Sequence, residues 1–438
     1  MKRVKPSPEK EHLLVFGRYP RPGAAKTRLI PALGSAGAAD LQRRLTEHTV
    51  AEAKKYIRRS GARLVFCHAG GRRKQLVKWL GNRNIDYVPQ AEGGLGRRML
   101  QAMDSAFARG AARVVLVGTD IPGLTATVLQ EAFGRLQQHD LVLGPSTDGG
   151  YWLVGMTRPQ NIFTEIPWST PTVLDRTLAL AKRRGMTASL LEPLSDMDEP
   201  ADLDNNGYAA TPYLSVIVPT LNEEHHISET LAGAASPDAE FIVSDGGSTD
   251  RTAARARAHG ARIVSGPRSR AGQQNRGAAI AKGKVLLFLH ADTRLPDNYV
   301  AHVFETLMNR RVVLGAFRFQ TDVATPVMRW VAFWANLRAS LGQLPYGDQG
   351  LFLSRRDFEA VGGFPDVPIA EDLYLVRRLA RNGRIALAPV AAVTSGRRWR
   401  RRGPLRTTLI NTVIAVGCLA GVAPGRLAPL YRLPVRKK

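Results

Sequence analysis

An aspartate that closes an apolar run is the first residue in this chain placed to do chemistry. Residues 284–292 read KVLLFLHAD, with five apolar side chains from Val285 to Leu289 ahead of His290, Ala291 and Asp292. Such a run is short for a helix and suits a strand buried on both faces. Asp292 then stands at the carboxyl edge of a sheet, where open α/β sheets bind ligands. A carboxylate beside an imidazole there either holds a divalent cation, Mg2+ or Mn2+, against a diphosphate or caps the next turn. Asp245 opens residues 245–250 (DGGSTD). Two glycines after a strand-end aspartate let the backbone approach a flat ring or ribose, and the carboxylate can accept from a uracil imide N–H. Asp250 reads as a cap for the following helix. Glu371 and Asp372 open another predicted helix, as a cap pair or a general base. Local amides and the helix dipole lower a carboxylate's pKa, so burial or neighbouring acids must offset them if one is the base.

The first half has polar connections of its own. Residues 19–29 (YPRPGAAKTRL) form a stiff, exposed turn on which Lys26, Arg28 and backbone amides can converge on a phosphate, although the spacing is not that of a P-loop. Residues 92–99 (EGGLGRRM) make a second glycine-rich approach to a helix, with Gly94 and Arg97 as candidate phosphate contacts. Two strand-end aspartates, Asp120 and Asp148, occupy equivalent positions in a doubly wound sheet and can share a metal ion over phosphates. Thr170 is an N-cap candidate ahead of Pro171. Asp196, Asp198 and Asp202 read mainly as turn and cap residues.

These residues need elements to hold them. Residues 12–17, 63–67, 113–118 and 140–144 read as short buried strands, and 38–59, 95–109 and 126–138 have helical length and periodic apolar positions. The alternation predicts a mostly parallel sheet covered by helices. Residues 201–212 (ADLDNNGYAATP) are polar and rich in turn formers. The pattern then restarts. Strand 214–218 leads into PTLNEE, strand 240–244 into DGGSTD, helix 269–281 follows, and the strand before Asp292 comes next. Beyond it lie residues 315–319 (GAFRF), 346–350 (YGDQG), a short strand 351–354, 361–365 (VGGFP) and a helix from Glu371 to about 381. The expected class is α/β: two doubly wound domains at 12–204 and 213–395, with a tail at 1–11, a linker at 205–212 and a basic and apolar tail at 396–438.

The motifs PRPGAAKTRL, GGLGRRM, GTDIP, GPSTDGGYWLVG, IPWST and DMDEPADL together resemble the first "rSAM/selenodomain-associated" transferase family, also called arsenosugar-biosynthesis glycosyltransferase. That family is similar to nucleotidyltransferases of the molybdenum-cofactor guanylyltransferase type. The resemblance implies a GT-A-like fold over about 12–204, phosphate contacts from Lys26 and Arg28, and a metal at Asp120 and Asp148. It leaves open whether a glycosyl or a nucleotidyl group moves. From about Tyr213 onward the order PTLNEE, DGGSTD, helix, HADT resembles the family 2 inverting glycosyltransferases, and more narrowly the second "rSAM/selenodomain-associated" transferase. This implies a GT-A fold and a nucleotide-sugar donor, a UDP-sugar. Pro219, Asn222, Glu223, Asp245 and Arg276 would lie on the donor side, Gly347, Asp348 and Gln349 on the acceptor side, and Asp372, next to Glu371, would be the base. The usual DxD is His290-Ala291-Asp292 here, which leaves Asp292 as the metal ligand and His290 as a second ligand or phosphate donor. Arg398-Trp399 resembles the end of the Gln-x-x-Arg-Trp motif of processive enzymes, without its glutamine.

Composition frames these readings. The chain has 438 residues, 62 Lys+Arg against 37 Asp+Glu, and a formal net charge of +25. It should favour polyanions: nucleotides, nucleic acid or an anionic membrane face. Two distant cysteines fit a reducing compartment and no structural disulfide, and the charged N-terminus has no apolar signal segment. A cytoplasmic protein, at the cytoplasmic face of the membrane or away from it, is expected. Residues 395–406 place six arginines around Trp399, and 407–425 carry no charge. The arginines suit a diphosphate or anionic headgroups. The apolar run is interrupted by Asn411, Gly417, Gly421 and Pro424, which favours a surface-lying or core-packed helix over a span. An amphiphilic hydroxyl acceptor fits such a tail. Zinc-finger spacing, an RRM motif and a helix-turn-helix pattern are not found, so no specific nucleic acid is expected.

Overall fold

The first strand, β1 (Glu11–Arg18), is buried at every residue but its last, because both of its faces are covered. In the computed structural model, which describes residues 10–205, 208 and 211–432, the chain divides between Ala210 and Thr211 into two compact units.

In the first unit β1 is followed by β2 (Arg63–Ala69), β3 (Asp86–Pro89), β4 (Arg113–Val117), β5 (Leu141–Pro145), β6 (Tyr151–Met156) and β7 (Ala188–Leu190). They form one sheet in the order β3-β2-β1-β4-β6-β5-β7. β1 runs parallel to both β2 and β4, and β6 runs antiparallel to β4 and β5. The chain leaves β1 on one side and returns on the other through β4, so a switch point opens above the carboxyl ends of these two strands. The helix Ile30–Ser60 begins well before residue 38, its first turn kinked at Gly34. Thr170 does not cap a helix. Its hydroxyl donates to the Pro167 carbonyl at 2.7 Å, and the helix Val173–Arg183 starts later.

The second unit repeats the plan with an antiparallel extension. Its strands are β8 (Leu214–Thr220), β9 (Ala239–Asp245), β10 (Arg262–Ser265), β11 (Val285–Phe288), β12 (Thr293–Arg294), β13 (Val312–Thr321), β14 (Leu351–Ser354) and β15 (Arg384–Thr394), ordered β10-β9-β8-β11-β14-β13-β15-β12. All four residues of β11 are buried. β11 pairs parallel with β8 and antiparallel with β14, so the second switch point lies between the ends of β8 and β11. Below it Phe288 packs on Phe358 and Phe364, beside Leu286 and Leu375. The tail folds into the helices Arg397–Arg402 and Pro404–Leu419. Both units are mixed α/β sheets, two GT-A-like domains in tandem with a helical C-terminal region.

Candidate active site

In the second unit the ends of β8 and β9 are stitched together by their own loops. Asn222, with a left-handed φ of 54°, accepts from Thr249 N at 2.9 Å and donates its backbone N–H to Ser248 Oγ. Asp245 accepts from the backbone N–H groups of Gly247 and Ser248 and from the hydroxyls of Ser248 and Thr220. Burial pushes its carboxyl up, but these hydrogen bonds outweigh it and hold the pKa below the usual range. A carboxylate has about four acceptor sites, so a base imide would have to displace one of these donors. Gln273 ties both loops by donating to the carbonyls of Thr220 and Ser244. Arg276 donates to the Pro267 carbonyl, away from the β11 edge.

Two adjoining cavities lie above the switch point. One, of about 230 Å³, is polar and lined by Pro219, Glu223, His290, Asp292, Asp348 and Arg397 among others. The other, of about 250 Å³, is lined by Glu371, Ile369, Leu373, Ile414 and Ala415 among others. Arg270, Tyr346, Asp372, Arg398 and Asn411 line both. Asn222, Asp245 and Arg276 line neither of these two cavities.

Asp372 stands at the junction. Its Oδ2 accepts from Gly347 N at 2.7 Å and its Oδ1 from Leu373 N at 2.8 Å. The residue before the acidic pair, Ala370, is held at φ 62°, a conformation that side chains other than glycine adopt at a cost. A Cβ on Gly347 would lie 3.2 Å from His290 Nε2 and 3.3 Å from Asp372 Oδ2, so this glycine lets the loop reach both groups. Glu371 is buried. Desolvation and then Asp372 raise its pKa to about 7, against the pull of Arg270, whose Nε is 3.8 Å away. Burial likewise raises Asp348 to about 6. Gln349 turns inward, donating to the Phe317 carbonyl at 3.0 Å, and takes no place on the acceptor side.

Asp292 does not join His290 in a cation site. Its Oδ2 is 3.1 Å from Arg397 Nε, and the same guanidinium binds Glu223 at 2.6 and 2.9 Å. Burial raises the Asp292 pKa and Arg397 opposes the rise. Burial and then Arg270, Arg397 and Arg398 hold His290 well below its usual value, so its ring is neutral. Among the described residues no three His, Cys, Asp or Glu side chains converge on a ready cation position. At Asp292 the charge a divalent ion would bring is already supplied by a guanidinium, and the residues as arranged do not fit the ion. Trp399 packs in a core with Phe319, Met328 and Val331 and thereby anchors the arginine helix.

In the first unit a cavity of about 310 Å³ opens at the switch point, lined by Arg18, Gln42, Gln90, Arg98, Asp120, Tyr151 and others. Lys26 has the left-handed φ of 44°. Its ammonium reaches the Met197 carbonyl at 2.6 Å and Asp198 at 2.7 Å, so it is spent on protein acceptors rather than open to a phosphate. Arg28 meets Glu199 at 3.5 Å on the surface. Gly94 precedes the first turn of the helix Leu95–Ala108, and Arg97 is exposed. Arg98 faces the cavity instead, with a buried Nε that has no partner. Asp202 caps its turn by accepting from the N–H groups of Asp198 and Glu199. Burial raises the Asp120 pKa, Lys26 counters this, and Asp198 and Asp148 add to it. Burial and then Asp148, Asp120 and Asp198 push Asp196 up to about 6. Asp148 accepts from Gly150 N at 2.9 Å in a turn where Gly149, at φ 87°, has no Cβ to strike the Pro171 carbonyl. Asp120 and Asp148 are oxygen donors of the kind Mg2+ or Mn2+ takes, but with Asp196 they do not converge on a ready cation position in this unit either.

Residues 50–170 match the model of a family described as an uncharacterized protein conserved in bacteria (DUF2064). Residues 215–357 match the model of glycosyl transferase family 2. The chain carries these two domains in tandem. No curated protein matches it. Among solved structures, one similar chain is assigned as a nucleotide-diphospho-sugar transferase from Desulfovibrio desulfuricans G20, at 32% identity over 44% of this chain and 83% of that one, with a TM-score of 0.40. A mannosyltransferase from Pyrobaculum calidifontis, solved with GDP-mannose and Mn2+, is similar at 22% identity over 51% of this chain and 68% of its own, with a TM-score of 0.39. Glucosyl-3-phosphoglycerate synthase from Mycobacterium tuberculosis, solved with Mn2+, UDP and glucosyl-3-phosphoglycerate, is similar at 22% identity over 48% of this chain and 80% of that one, with a TM-score of 0.36. The family 2 domain supports a sugar-transferring enzyme.

Proposed function

We propose that the second unit transfers a glycosyl group from a nucleoside-diphosphate sugar, a UDP-sugar, to a hydroxyl acceptor with inversion at the anomeric carbon. The observation that carries this is the position of Asp372, where a polar cavity walled by arginines meets a more apolar one. The acceptor oxygen attacks the anomeric carbon from the Ile369 side as its proton passes to Asp372. The bond from that carbon to the diphosphate oxygen breaks on the opposite side. The charge developing on the leaving diphosphate is met by Arg270 and Arg398, both on that cavity's wall. Glu371, raised to about 7, carries its proton part of the time near neutral pH and so adds less than a full negative charge beside the base.

The first unit, in this reading, is a related nucleotide-binding transferase whose phosphate contact is Arg98. A divalent cation there, held by Asp120 and Asp148, would supply positive charge over phosphates. A second reading makes this unit a nucleotidyltransferase that forms the sugar nucleotide consumed by the other. Burial and the shared neighbours Asp148 and Asp198 raise both the Asp120 and the Asp196 carboxyl, which favours a site that takes added cationic charge. The sequence resemblance puts an arsenosugar precursor among the acceptors to test. The test uses the full chain with a panel of UDP-, GDP- and CMP-sugars and the anomeric configuration of the product read by NMR. Inversion is expected, and retention of configuration would overturn the single displacement.

A further inference from the structure

Eleven of the thirteen exposed large apolar side chains among the described residues fall on two stretches, 327–341 and 405–422. The helices Pro326–Leu341 and Pro404–Leu419 pack against each other within the second unit. On the first, Val327, Trp330, Phe333, Trp334 and Leu341 face outward, with Trp330 at 52% and Phe333 at 59% exposure. Trp334 meets both Trp330 and Phe333 edge to face. On the second helix Leu405, Leu409, Val413 and Val416 recur every three or four residues and form one stripe, with Leu405 at 66% and Leu409 at 63%. A contiguous apolar face of this kind marks an interaction surface.

Charge selects the partner. The face is bordered by the helix Arg397–Arg402, whose Arg401 is exposed and whose Arg400, also exposed, pairs with Asp322 at 3.1 Å, and by Arg329 and Arg406, also exposed. No acidic residue occurs between Met328 and Leu344 or between Ser395 and the chain end. Tryptophans and arginines beside an apolar stripe match the headgroup zone of an anionic bilayer, where indole rings settle and guanidinium groups meet lipid phosphate. The second helix, 16 residues or about 24 Å long, is too short to span. Among the described residues no helix is long and apolar enough to cross a membrane.

We infer that this two-helix face seats the second unit on an anionic lipid surface. The opposite side of the Pro404–Leu419 helix, through Asn411, Ile414 and Ala415, walls the acceptor cavity. One helix therefore touches lipid with one side and the cavity at Asp372 with the other. Resting on the proposed glycosyl transfer, the acceptor is an amphiphile whose hydroxyl enters from the bilayer surface.

The test is flotation of the full chain with vesicles of phosphatidylcholine alone or with one-third phosphatidylglycerol, alongside quenching of tryptophan fluorescence by bromine-labelled lipid. Partition into the anionic vesicles with quenching is expected. Arg400→Gln with Arg401→Gln should weaken it by about 30-fold. Trp330→Gln with Trp334→Gln should remove most of the quenching without lowering the melting temperature, since both rings are exposed. No partition, or partition whose quenching these tryptophan changes leave intact, would overturn the proposal. So would a dimer in sedimentation that the tryptophan variant turns into monomer, since the face would then serve a second copy. UDP titration on the same samples separates the two readings: vesicle binding without nucleotide binding leaves the docking face standing and removes the transfer site.

Discussion

Arg397 holds its Nε 3.1 Å from Oδ2 of Asp292, at the edge where the sequence pattern leads one to expect a metal. The same guanidinium grips Glu223, so two carboxylates share one fixed cation. Removing one partner of a recessed charge pair leaves the other uncompensated. Arg397→Met should therefore open Asp292 and Glu223 to Mn2+ and tighten its binding by about tenfold or more over the wild type. Paramagnetic resonance of unbound Mn2+ measures this, with Asp292→Asn added to Arg397→Met to assign the gain to this site. Equal affinity in wild type and variant would show that the guanidinium does not stand in for the ion.

Asp372→Asn should lower turnover by about 10²- to 10⁴-fold, the range for loss of a positioned general base. Asn keeps only one acceptor oxygen for the two backbone N–H groups that Asp372 now satisfies. A small loss of stability should accompany the change, and UDP affinity should hold within about twofold because the diphosphate is met by arginines. Gly347→Ala tests the same geometry from the other side, since its Cβ would crowd His290 and Asp372. Activity should fall while the melting temperature stays close to that of wild type. Undiminished turnover in Asp372→Asn removes it as the base.

The parallel strands and their polar ends were legible because burial on both faces writes continuous apolar runs, as in β1, β8 and β11. The pairing of β13 with β15 was not, since β15 reads RIALAPVAAVT, with no strict alternation and a proline inside it. The positions of Asp120 and Asp292 were legible because the apolar runs of β4 and β11 stop just before them. Arg397 was hidden, because in its motif it occupies a position that names no residue type, and only the fold brings it to Glu223, far away in sequence. Lys26 was placed correctly on its turn, but its partner Asp198 is supplied by the distant end of the same unit. Arg97 and Arg98 are adjacent, and sequence alone could not say which of them turns toward the cavity.

Protonation of the buried acids should make stability pH-dependent. Glu371 is raised from 4.5 to about 7 and Asp348 from 3.8 to about 6, each first by burial. Between the ordinary and raised values the folded state binds more protons than the unfolded chain, so stability falls as pH rises. Their contribution is fully present below about pH 4 and lost as pH passes through about 6 to 7. Glu371→Gln and Asp348→Asn should each flatten the decline. Urea unfolding of wild type and variants at about pH 5 and about pH 8 checks this, and an unchanged slope in both variants would refute it.

The first unit offers the last test, because Lys26 sits between the acids it moderates. Its charge lowers the Asp120 carboxyl that burial raises, and Asp198 holds it in place at 2.7 Å. If this unit joins a nucleoside triphosphate to a sugar 1-phosphate, the full chain should release pyrophosphate from such a mixture. Asp120→Asn should abolish that release. Lys26→Met should shift the acidic limb of the pH–rate profile upward, since Asp120 then ionises only at higher pH. A lysine that served phosphate binding alone would raise KM for the triphosphate and leave the limb where it was. Nucleotide binding with no pyrophosphate from a broad panel would assign this unit to glycosyl transfer instead.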